Sequence, residues 1–249
     1  MTSFKHTHQY TLSKPTFKQQ SVKVIREIAM VMIGILLALQ VNNWAEAFKE
    51  RKEELRLLNN FQGNLEADIA QIDSITKLTE ASILNAHAII DILNDPSEGS
   101  LPKFIDLQLS LLFNEYFITN DGAYSEASST GKIELLENVS IREHIFQYYR
   151  LAGTTTNDDV VFKTSSEITT PVWKDMVGST REMTLELIGR DLKSAPKLVL
   201  KDIARNRQYI SMLVAKIAGG GVQIRAWETR RIEAKRLKDL LTEELKRWE

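Results

Sequence analysis

The longest apolar run in the chain lies near its start. Twelve consecutive apolar residues extend from Ile28 to Leu39, and no charge appears until after Trp44, giving seventeen uncharged positions. As a helix at about 1.5 Å per residue these span about 26 Å, close to the hydrocarbon core of a bilayer at about 30 Å. Lys23 and Arg26 precede the run, where long basic side chains reach toward lipid headgroups, and Trp44 follows it, where an interfacial aromatic belongs. The pattern predicts a membrane-anchor helix over 21–44. No other stretch is comparably apolar, so a single crossing is expected. Ala45-Glu46-Ala47 fits a small-x-small cleavage site, which makes a cleaved signal peptide the rival reading. The long basic leader and the helical pattern that runs on past the apolar core favour an uncleaved anchor.

Beyond the span the period changes to a heptad. Phe48, Leu55, Ile69, Ile83 and Ile90 fall at multiples of seven, and Leu58, Leu65, Ile72, Ala86 and Leu93 share a register offset by three. Such a seam predicts a long helix that needs a partner stripe. Between Ser21 and Asn94 there is no proline, and glycine occurs only at 34 and 63, so one continuous helix is expected, ending at the turn cluster of residues 95–100. A second heptad, Ile203, Ile210, Ile217 and Ile224 with Leu213, Trp227, Ala234, Leu241 and Trp248 alongside, predicts a last long helix from about Leu198 that pairs with the first. Gly219-Gly220-Gly221 interrupts it. Each glycine costs about 1 kcal/mol relative to alanine in a helix, so the triplet reads either as a hinge or close backbone contact, or as a break between two helices.

Between the long helices the elements are short. A helix from about Pro102 to Phe117 would bury Phe104, Leu107, Leu111, Leu112 and Phe113. Asn120-Asp121-Gly122 caps another, which Gly131 ends, and Ser140-Ile141-Arg142-Glu143 reads as a capping box opening the next. His144 near Tyr148 reads first as a surface or hydrogen-bonded histidine. Residues 154–159 are polar, and Pro171 with Trp173 marks a further bend.

Composition supports a helical class: glycine (11) and proline (5) are few, and 43% of the 249 residues are hydrophobic. Absence of cysteine excludes disulfides, thiolate metal sites and a cysteine nucleophile. The net charge of −1 is partitioned as +4 over residues 1–56, −12 over 57–189 and +7 over 190–249. An acidic middle and a basic end in one chain can pack side by side, so nucleic acid is not an expected partner. Residues 1–20 read as a flexible basic tail, with His6 and His8 solvated. No hydrolase, phosphate-loop, dinucleotide or zinc motif appears, and the histidines at 6, 8, 87 and 144 are scattered, so no enzymatic activity, cofactor or metal is expected.

Within the span, Gly34 and Ala38 form a small-xxx-small pair, and Gln40 and Asn43 lie one turn apart where they could hydrogen-bond across a dimer. Self-association through this helix is the reading they suggest; chance spacing and amides at the water interface are the plain alternatives.

The segment EIAMVMIGILLALQVNNWAEAFKERKEEL resembles the N-terminal hallmark of an uncharacterised family of bacterial single-pass membrane proteins, through Glu27, Ile28, Ile33, Gly34, Ile35, Leu36, Ala38, Leu39, Gln40, Asn42, Asn43, Trp44 and Glu46. GAYSEASSTGKIELLENVSIREHIFQYY is similar to a second block of that family through Tyr124, Ser128, Gly131, Lys132, Asn138, Arg142, Tyr148 and Tyr149. The resemblance implies a membrane anchor with a helical body in the cell envelope and supplies no activity. The expectation is an all-α chain: one transmembrane helix continuing into an elongated antiparallel helical bundle over 45–249. It would act as an interaction or scaffold protein of the bacterial inner membrane with its body in the periplasm. Its partners would be the lipid bilayer, a second copy and an envelope protein. The alternative is a ligand-sensing body working with a partner subunit, its ligand held near Tyr124, Arg142 and Tyr148.

Overall fold

The computed structural model of the protein describes residues 17–152 and 157–247, and the tail before Phe17, Thr154 to Thr156 and Trp248 lie outside them. The described chain is all-α. Its helices are α1 (Phe17–Asn94), α2 (Leu101–Ser110), α3 (Gly122–Ser129), α4 (Val139–Ala152), α5 (Asn157–Trp173), α6 (Arg181–Ile188), α7 (Leu200–Arg205) and α8 (Arg207–Lys246), with short 3₁₀ turns before α2 and after α3. The chain divides into two units, Met1–Glu53 and Glu54–Glu249.

In the second unit α8 runs antiparallel to α1, as the paired seams predict. Gln62 Nε2 donates to Thr242 Oγ1 at 2.9 Å, Lys238 pairs with Glu66 at 2.9 Å, and Arg231 pairs with Asp73 at 2.6 Å. Partners descend along α8 as they ascend α1. Two of these links pair an acid of the acidic middle of the chain with a base of its basic end. Three apolar cores are strung along the pair. The first joins Leu58, Phe61 and Leu65 to Ala234, Leu237 and Leu241 beneath α4; the middle one joins Ile72 and Ile75 to Trp227 and Phe117. The third packs Ala86, Ile89 and Leu93 with Tyr209, Met212 and Leu213 against α2, α6 and α7.

The buried stripes differ from the expected seams by one register. Leu58, Leu65, Ile72, Ala86 and Leu93 are core positions as read, but Leu55, Ile69, Ile83 and Ile90 only flank the core and Phe48 is exposed. The second buried register of α1 is Glu54, Phe61, Asp68, Ile75 and Ile89. On α8 the isoleucines at 210, 217 and 224 likewise flank, while Tyr209, Lys216, Gln223, Leu237 and Glu244 are inside. Polar residues at core positions concealed these stripes.

Four element boundaries also differ. The expected helix from Pro102 to Phe117 stops at Ser110, leaving Phe113 75% exposed. The last long helix starts at Arg207 rather than Leu198, because the Asn206 side chain accepts from the amides of Gln208 and Tyr209 and separates α7 from α8. Asn138, not Ser140, caps α4, its Oδ1 accepting from the amides of Ser140 and Ile141. Pro171 lies inside α5, and the bend follows it as a π turn, Lys174–Gly178. Gly131, at φ 72°, closes the α3 region as expected.

The glycine triplet lies inside α8 without breaking it. Gly220 sits on the buried register between Leu213 and Trp227, and a Cβ added there would lie 3.0 Å from Ile83 Cδ1 and 3.1 Å from Thr79 Cγ2. It is a close contact between two helices. At Gly221 an added Cβ meets nothing nearer than Arg225 at 3.7 Å. Gly221→Ala is therefore expected to stabilise the protein by about 0.5–1 kcal/mol through helix propensity, while Gly220→Leu destabilises it by about 1–3 kcal/mol through overpacking; urea unfolding followed by circular dichroism measures both.

Candidate functional site

After α2 the chain runs without regular structure from residue 111 to 121 between the two long helices. Phe117 holds it there, buried against Ile72, Ile75 and Trp227. Only Leu111 and Phe117 of the segment are buried, while Phe113, Tyr116, Ile118, Asn120 and Asp121 stay exposed, so partners are needed only for the backbone groups that are turned against the helices. The polar residues of the buried stripes supply these partners. Asp68, fully buried on α1, accepts from the Asn120 amide at 2.8 Å and from Asn120 Nδ2 at 2.7 Å. Gln223 Nε2 donates to the Glu115 carbonyl at 3.2 Å, and Lys216 Nζ donates to the Phe113 carbonyl at 2.9 Å and to Asn114 Oδ1 at 2.6 Å. Glu54 receives the Glu137 amide at 2.9 Å in the same way, and Glu244 receives Asn138 Nδ2 at 2.7 Å.

The second oxygen of Asp68 accepts from the Tyr148 hydroxyl at 2.7 Å, at the edge of an aromatic cluster. Tyr149 lies perpendicular to Tyr148 at 5.1 Å and stacks on Tyr124 at 4.8 Å with an interplanar angle of 8°. Burial, reinforced by the Asp68 charge, raises both Tyr148 and Tyr149 well above the ordinary phenol range, so both remain protonated donors. The Tyr149 hydroxyl is buried beside the Asn64 side chain, which acts against the upward shift. Tyr124 and Tyr148, proposed from sequence as part of one site, thus meet through Tyr149. The Arg142 guanidinium, on the same helix as Tyr148, pairs with Glu134 at 2.7 Å. His144 Nδ1 lies 2.7 Å from the Ser140 carbonyl of its own helix, the plain reading of that residue.

Farther along the pair is a cavity of about 280 Å³ between α1, α8 and the irregular segment, lined by Thr79, Ser82, Phe113, Glu115, Lys216 and Gln223 among others. Lys216 is only 8% exposed, and burial lowers its ammonium to about 8, with the Glu115 charge acting in the opposite direction. Sequence reading missed Asp68, Lys216 and Gln223. The signal available was the register Tyr209, Lys216, Gln223, Leu237 and Glu244, which repeats on the core side of the helix but mixes polar and apolar residues.

In the first unit every residue from Ile25 to Glu50 is exposed, including Arg26, Gly34, Ala38, Gln40, Asn43 and Trp44. A Cβ added at Gly34 would meet nothing within 4 Å. The most apolar window of α1 has a mean hydropathy of 1.7, and none of it is buried. The structure thus defines an all-α protein in which, among the described residues, one helix is long and apolar enough to cross a membrane. Residues 27–174 match the Family of unknown function (DUF6090), and the chain belongs to that family. No curated protein and no solved structure matches it.

Tyr148→Phe removes a hydrogen bond from a buried carboxylate and is expected to destabilise the fold by about 1.5–3 kcal/mol in urea unfolding, whereas Tyr124→Phe, on a half-buried ring, changes it by less than about 0.5 kcal/mol. Lys216 gives the pH dependence a sign. Its folded value near 8 is below the unfolded value of about 10.4, so between them the unfolded chain binds more protons and stability rises with pH. Above about pH 10 the buried tyrosines reverse the slope, because the unfolded chain releases phenol protons that the folded chain keeps. Urea midpoints are expected to increase from about pH 8 to about pH 10 and Lys216→Met to abolish the increase.

Proposed function

We propose that the protein is a single-pass membrane protein of the bacterial inner membrane, anchored by residues 21–44, whose helical body is an interaction or scaffold module in the periplasm. The observation that carries the anchor is the complete exposure of the residues from Ile28 to Leu39. A continuous apolar surface around a whole helix exceeds what a soluble monomer presents to water, and hydrocarbon is its natural solvent. Gly34 and Ala38 leave room for a second copy of the same helix, with Gln40 and Asn43 placed to hydrogen-bond across it. The construction of the body supports interaction over chemistry, because its buried polar groups are directed at the chain's own backbone, Asp68 at Asn120 and Lys216 at Phe113.

Membrane fractionation with alkaline extraction, protease digestion from the periplasmic side and intact mass measurement test this reading together. Retention in the membrane, an intact N-terminus and a digestible body are the expected results. Cleavage after Ala47 would make the apolar segment a signal peptide, and a body protected from periplasmic protease would place its partners in the cytoplasm; either outcome overturns the proposal in that part.

A further inference from the structure

The cavity between α1 and α8 has a feature that its structural role leaves unused. Two charged residues of opposite sign, Lys216 and Glu115, line it, yet they do not pair. Lys216 directs two of its three N–H groups to the Phe113 carbonyl and Asn114 Oδ1, which leaves one donor. The Glu115 carboxylate has no hydrogen bond or ion pair among the described residues, although its charge acts on Lys216. Hydroxyls of Thr79 and Ser82 add neutral polar groups to the wall, while Leu78, Ile83 and Phe113 supply an apolar side.

A buried ammonium and an unpaired carboxylate on one small cavity match a ligand that carries both complementary charges a few bonds apart. We propose that this cavity binds a free α-amino acid with an apolar side chain, its carboxylate held by Lys216, its ammonium by Glu115 and its side chain against Leu78, Ile83 and Phe113. At about 280 Å³ the cavity suits a small metabolite and lies just below the range of about 300–1,000 Å³ typical of larger ligands. Gly220, whose backbone lies close against Ile83 and Thr79, forms part of the same wall. All of these groups belong to the unit Glu54–Glu249, so the site does not depend on the membrane reading.

Isothermal titration of the detergent-solubilised full chain with L-leucine, L-valine and L-phenylalanine tests the proposal. 4-Methylpentanoate and 3-methylbutylamine serve as analogues carrying only one of the two charges. Saturable binding of at least one amino acid is expected, with both one-charge analogues weaker by about tenfold or more. Glu115→Gln, which alters a carboxylate without partners and leaves the fold intact by circular dichroism, is expected to weaken binding by about tenfold. Lys216→Met abolishes it. No saturable heat with any of the three amino acids up to millimolar concentration overturns the proposal. Equal affinity for 4-methylpentanoate, or unchanged affinity in Glu115→Gln, overturns recognition of a zwitterion.

Discussion

The body of this protein depends on satisfying the backbone of one irregular segment. Residues 111–121 lie between α1 and α8 because Phe117 is a core residue, and between the Leu112 amide, which still donates to α2, and the Asp121 carbonyl, which accepts from Ser125 of α3, no helix or strand supplies partners. An unsatisfied buried backbone group costs about 1–3 kcal/mol, so a few of them would consume much of the stability of a domain. The long helices answer this with side chains at core positions: Asp68 from one side, Lys216 and Gln223 from the other. The same device recurs where Glu54 receives the Glu137 amide. Polar residues in the seam therefore follow from the path of the chain between the helices.

That constraint explains what the sequence revealed and what it concealed. Helical class, the antiparallel pairing of the first and last helices and, among the described residues, one register of each seam were legible, because Leu58, Leu65, Ile72 and Leu93 recur at heptad spacing and pack with Leu213, Trp227, Ala234 and Leu241. The second register was not, because periodicity analysis looks for apolar residues and this one contains Glu54, Asp68, Lys216, Gln223 and Glu244. The flanking isoleucines, half-buried on both helices, offered a cleaner period and drew the prediction to the wrong side of the seam. Of the candidate site, Tyr124 and Tyr148 were legible but Tyr149, which touches both, was not singled out, and the Arg142 partner Glu134 lies in a 3₁₀ turn that spacing alone does not position.

The family match and the folding unit do not coincide. Residues 27–174 carry the match, but all three cores take side chains from α8, which begins at Arg207. Without Leu213, Trp227, Ala234 and Leu241, the buried face of α1 from Leu58 to Leu93 would lose the surface it packs against. A chain ending where the match ends would expose a long apolar stripe together with the buried carboxylates of Glu54 and Asp68, and is not expected to keep this fold.

Gly220 ties packing to chemistry. Without a side chain, Gly220 lets α8 approach Ile83 and Thr79 of α1 so closely that an added Cβ would crowd both, and all three residues border space that side chains do not fill. In this protein the space lies next to Lys216, already buried to serve the carbonyl of Phe113. A cation placed for structural reasons beside unfilled volume is an electrostatic site without further construction, and burial lowers its proton affinity. The close approach at Gly220 and the buried cation of Lys216 thus lie on one wall between α1 and α8, where packing and charge meet.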